Sequence, residues 1–120
     1  MDSSIQLDHY NTEHYLYFKM PKEVKRIEHT ESIRKILLDH LGSKDKDMVL
    51  DFTGTEYVDS GIISIIVRLK DELHENGKKV GLVCRDKNIN GLFMMVGLDL
   101  VVDLFESMQE VKQHYEENRD

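Results

Sequence analysis

Apolar residues recur along this chain with two periods, and each change of period marks an element. From Ile5 to Met20, extended-type residues cluster around Tyr15-Leu-Tyr-Phe18, which predicts one or two strands of a hairpin turning at Asn11-Thr12. The edge of that hairpin falls near Ile5–Leu7, where an unpaired strand could support pairing with another chain. After Pro21 the period lengthens: Ile33, Ile36, Leu37 and Leu41 share one helical face, with a start at Thr30 or Glu31 and a stop at Gly42. The intervening Lys22–His29 fits either a loop or an extra helical turn.

Met48 to Phe52 then forms a nearly continuous apolar run, as a strand buried on both faces requires. A helix from Ser60 to about Asn76 carries Ile62, Ile65, Ile66, Leu69 and Leu73 as one stripe and closes at Gly77. Its β-branched run is poor helix material by itself, so tertiary packing must hold it. Lys79–Cys84 reads as a second buried strand, and Lys87–Val96 as a short helix ended by Gly97. Leu100–Leu104 reads as a last strand, and Glu106–Asn118 as a terminal helix. The order β-β-α-β-α-β-α-β-α predicts an α/β fold with a mixed, mostly parallel sheet packed against about four helices.

Between the central strand and the long helix lies Asp59-Ser60-Gly61, the most informative corner of the sequence. A hydroxyl here stands beside free backbone N–H groups at a helix start, where a phosphate is electrostatically favoured. Asp59 or Ser60 also suits a plain capping role, worth roughly 1 kcal/mol. Thr53 and Thr55 in the preceding loop are fallback hydroxyls, better read as turn residues.

Composition narrows the function classes. The chain has 120 residues, enough for one domain over residues 1–120, with 40% hydrophobic and 32% charged residues. A net charge of −7 disfavours nucleic acid and anionic membrane surfaces as partners, while leaving room for a basic partner or a locally basic groove. Cys84 sits alone in an apolar run and reads as a buried structural thiol, in keeping with a reducing cytoplasm. The first residues carry no signal-peptide pattern, and no apolar run reaches the roughly 18–20 residues of a membrane span. The six histidines are scattered without ligand spacing, so no metal, cofactor or catalytic constellation is expected. Asp51, at the end of a strand, resembles a receiver-domain phosphoacceptor, but the acidic pair and lysine that such a site needs are not matched.

Taken together, Val49-Leu-Asp-Phe-Thr-Gly-Thr-Glu-Tyr-Val-Asp-Ser60, Asn76-Gly-Lys-Lys-Val-Gly-Leu-Val83 and Ile89-Asn-Gly-Leu-Phe-Met-Met-Val-Gly-Leu98 resemble the STAS domain of bacterial anti-sigma factor antagonists. The resemblance spans essentially the whole chain. It implies a cytoplasmic, non-enzymatic regulator that binds an anti-sigma factor or switch serine kinase, with a phosphatase as a further partner. In that family a Ser or Thr at the start of the helix after the central strand is phosphorylated, which releases the partner. The family motif, Asp-Ser-Ser/Thr/Ala-Gly, meets Asp59-Ser60-Gly61-Ile62 here. An ungapped register puts Gly61 at the acceptor position; a register shifted by one makes Ser60 the acceptor. The apolar positions of the following helix and its distance to Asn76-Gly77 favour the ungapped register.

Ser60, Ser64 and Arg68 lie along one helix edge and form the candidate docking face. Met94 and Met95 on the short helix are candidates for a further, adaptable contact surface, since methionine adapts to varied partners, although core packing would also explain them. Two other roles fit the same domain: an accessory subunit of a transport ATPase, and a small-ligand-sensing module.

Overall fold

The computed structural model describes residues 5–24, 26–42 and 45–117. Within them five strands form a single sheet: β1 (His9–Asn11), β2 (Tyr15–Lys19), β3 (Asp47–Asp51), β4 (Val80–Val83) and β5 (Asp103–Phe105). They lie side by side in chain order. β1 runs antiparallel to β2, and every later pair is parallel. The helices are α1 (Ile27–Asp39), α2 (Ser60–His74), α3 (Lys87–Met95) and α4 (Met108–Glu117).

Each parallel crossover steps to the next strand in the same direction, so the right-handed rule places α1, α2 and α3 on one face. The core has that form. Phe18, Met48, Leu50 and Leu82 point into a large cluster with Ile33 and Leu37 of α1, Ile66 and Leu69 of α2, and Phe93 of α3. Alternate strand residues, Tyr15, Val49 and Val83, point the other way and receive Val111 of α4. β3 and β4 are thus buried on both faces, which is why they read as unbroken apolar runs.

Several boundaries differ from expectation. The edge strand is His9–Asn11 rather than Ile5–Leu7; Leu7 is buried in the helical-side core, so its neighbourhood is tied down by packing. The hairpin turns after Asn11, where the Thr12 hydroxyl accepts from the backbone N–H groups of His14 and Tyr15. Of the two readings of Lys22–His29, the extra helical turn is the one that forms: α1 starts at Ile27, after an extended Arg26 with no side-chain cap.

The largest correction concerns Leu100–Leu104. Leu98–Leu100 is instead a turn of 3-10 helix, and the strand is Asp103–Phe105. Gly97 adopts φ 79°, which L side chains rarely adopt, and reverses the chain after α3. Leu98 drops into the core, and the N–H groups of Val101 and Val102 bond back to its carbonyl. The last helix begins at Met108 rather than Glu106, and the expected end at Asn118 lies outside the described residues.

Candidate functional site at the start of the second helix

In a parallel crossover the helix N-terminus lies at the C-terminal edge of the sheet, so the β3–α2 loop and the first turn of α2 share that edge. The loop is held from three sides. Asp51 is 4% exposed and accepts from the Tyr17 hydroxyl and the Thr53 backbone N–H. Burial, with the bond to Asp51 second, raises the Tyr17 phenol pKa above its ordinary value. Lys19 donates to the Thr53 carbonyl. The buried Thr55 hydroxyl donates to the Pro21 carbonyl at 2.9 Å, so this residue is structural rather than an available acceptor of modification.

α2 then begins with a division of labour. Asp59 is its N-cap, and its Oδ1 accepts from the Ile62 N–H at 3.0 Å. Ser60, the first helical residue, is exposed, and its hydroxyl takes no hydrogen bond among the described residues. Capping therefore falls to the aspartate and leaves the serine available.

Gly61 faces inward. A Cβ built on it would stand 2.8 Å from Thr30 Cγ2 and 3.2 Å from Asp59 Oδ1. Thr30, on α1, is itself buried. Glycine here permits the close approach of α1 and α2, and a hydroxyl-bearing residue at position 61 would need that contact repacked. Nothing in the sequence signals this, because the two residues are far apart in the chain and neither belongs to an apolar repeat.

The outer edge of α2 carries Ser64 and Arg68, both exposed, with Val67 between them. Arg68 pairs with Glu72 at 3.2 Å, one turn along the same helix. Ser60, Ser64 and Arg68 thus form the continuous edge that their spacing predicts. Met94 and Met95 do not join it. They occupy the last turn of α3, toward the opposite edge of the sheet, and adjoin exposed Val96, Leu100 and Val101.

Elsewhere, Cys84 is buried as expected, and burial pushes its thiol pKa up. Among the described residues, no group of three or more His, Cys, Asp or Glu side chains could hold a metal ion. No helix among them is long and apolar enough to cross a membrane.

A family model described as STAS domain matches residues 22–111. No curated protein sequence matches the chain. Among solved structures, it is similar to a Thermotoga maritima protein provisionally described as an anti-sigma factor antagonist, with 19% identity and a TM-score of 0.77. That match covers 90% of this chain and 92% of the other. It is similar as well to an anti-sigma-factor antagonist (STAS) domain protein from Planctomyces limnophilus, with 17% identity and a TM-score of 0.78. There the match covers 88% of this chain and 93% of the other. At such identities the likeness is one of fold.

Proposed function

The chain belongs to the STAS domain family, and from that premise we propose that it is an anti-sigma factor antagonist that works by partner switching in the cytoplasm. Its partner is an anti-sigma factor or switch serine kinase, docked on the α2 edge of Ser60, Ser64 and Arg68. Met94 and Met95 contribute only where the partner extends to the far end of the helical layer.

The observation that carries the reading is the free, exposed Ser60 hydroxyl on the first residue of α2, beside an aspartate that already caps the helix. A phosphate there adds about −1.5 to −2 charge at the positive end of the helix dipole. The helix tolerates that charge. A docked protein would not, because the new dianion stands on the contact edge, next to Asp59. Position 61, the acceptor in the register that the helix positions favour, carries no hydroxyl, so the usual acceptor is replaced by glycine and Ser60 is the hydroxyl left at this corner.

The test incubates the protein with its anti-sigma factor kinase and ATP, then maps modified peptides. Phosphate confined to Ser60, abolished in Ser60→Ala, is the expected result, and Ser60→Asp should weaken the complex by about tenfold or more. A stable complex without phosphate transfer would show a constitutive antagonist and remove the switch from this reading. Absence of any complex would overturn it.

A further inference from the structure

We propose that His9 and His40 form a binding site for a divalent transition-metal ion that favours imidazole ligands, such as Zn²⁺ or Ni²⁺. The site lies at the antiparallel edge of the sheet and does not depend on the Ser60 corner or on the switch proposed for it.

The two residues are far apart in the chain, and the fold alone brings them together. His9 opens the edge strand β1, and His40 is the C-cap of α1. Their ring centres stand 4.7 Å apart, with 65° between the ring planes. Two imidazoles on one ion, with metal–nitrogen bonds of about 2.0–2.1 Å and about 90–110° between them, have ring centres roughly 4.5–5.2 Å apart. The spacing in this chain falls within that range.

Hydrogen bonding sets which nitrogen is available. Nδ1 of His9 lies 3.0 Å from the Leu7 carbonyl, and Nδ1 of His40 lies 2.7 Å from the Ile36 carbonyl. A carbonyl only accepts, so each Nδ1 carries a proton and donates it. The lone pair of each neutral ring is then on Nε2, which takes no hydrogen bond among the described residues. Metal-binding histidines commonly have this form, because the bond from the first nitrogen fixes the tautomer and makes the second more basic.

The surroundings favour a cation. Both rings line an open groove of about 270 Å³ together with Ile5, Gln6, Leu7 and Ile36, and no Lys or Arg lines it. His40 also stands at the carbonyl end of α1, the negative end of the helix dipole. No Asp, Glu or Cys lines the groove, so water completes the coordination and the site binds more weakly than a closed four-ligand one. Mg²⁺ and Ca²⁺, which require oxygen ligands, do not suit it. Both rings pack on the buried Phe18, at 5.4 and 5.3 Å between centres, and this contact holds them side by side. An ion between them would fasten the start of β1 to the end of α1.

The test titrates Zn²⁺ into the full chain, freed of any affinity tag, by calorimetry. Wild type should bind one ion, and His9→Gln and His40→Gln should each weaken binding about tenfold or more. The double variant His14→Gln/His114→Gln, which keeps the proposed ligands, should bind as wild type does. Zn²⁺ should raise the melting temperature of wild type more than that of either ligand variant, and Mg²⁺ should raise neither. Because His40 packs on Phe18, wild type is also followed by nitrogen-15 spectra of its histidine rings. Zn²⁺ should shift Nε2 of His9 and His40 and leave their Nδ1–H signals in place. Absence of saturable binding at millimolar Zn²⁺, unchanged binding in both ligand variants, or Nε2 shifts confined to other histidines would overturn the proposal.

Discussion

Gly61 and Thr30 show how one missing methyl group can set the geometry of a helix pair. A glycine inside a helix ordinarily gives up about 1 kcal/mol relative to alanine. Here an alanine Cβ would meet Thr30 Cγ2 at 2.8 Å, and overpacking of this kind costs about 1–3 kcal/mol. The contact outweighs the propensity, so Gly61→Ala should lower the denaturant midpoint. Thr30→Ser removes the obstructing methyl, so Gly61→Ala should become neutral or stabilising in that background. An unchanged penalty in the double variant would mean that Asp59, not Thr30, limits the site. The neighbouring Asp59 was legible in the sequence as a cap or motif residue. The Thr30 contact was not, because a close approach between helices leaves no local pattern.

At the scale of elements, α4 shows how a polar helix is fastened to an apolar sheet. Its one fully buried apolar side chain is Val111, and its polar fastening is Tyr115, whose hydroxyl donates to Asp47 Oδ2 at 2.6 Å. The other oxygen of Asp47 accepts from the Lys79 backbone N–H at 2.9 Å, so one carboxylate joins α4, β3 and the entry to β4. Burial first, and then the bond to Asp47 and the charges of Asp47 and Asp103, raise the Tyr115 phenol pKa well above its ordinary value. A pKa raised in the folded state gives stability that is complete below the unfolded phenol pKa of about 10 and is lost as pH climbs past it. Tyr115→Phe should therefore be less stable than wild type by about 1–2 kcal/mol near neutrality. It should also lose less stability above about pH 10, as followed by denaturant melts. Equal alkaline losses in the two proteins would rule out Tyr115 as the titrating group. The terminal helix was predicted from its polar, partly amphipathic sequence. Its fastening was not, since Tyr115 and Asp47 are distant in sequence.

Across the whole molecule, burial is concentrated in the middle of the sheet. β3 and β4 are covered on both faces, whereas β1 is three exposed residues paired on one side only. Amide hydrogen exchange should be slowest at Val49, Leu50, Leu82 and Val83 and fast at His9 and Asn11, whose N–H groups face the open edge of the sheet. Comparable protection at β1 would mean that its free edge is covered in solution. The same layout separates the Ser60 edge from Met94 and Met95, because each crossover helix starts at one edge of the sheet and ends at the other.

The sequence alone determined the element order, the mostly parallel sheet and the family likeness, because these rest on hydrophobic period and on short motifs carried within single elements. It also placed Ser60, Ser64 and Arg68 on one edge, since helical spacing is a local rule. Only the tertiary structure decided that Gly61 faces Thr30 and that Asp59 rather than Ser60 caps α2. It alone turned Leu100 and Val101 outward from a presumed strand. Those outcomes depend on which elements approach one another and how closely, and a chain read residue by residue contains no measure of that distance.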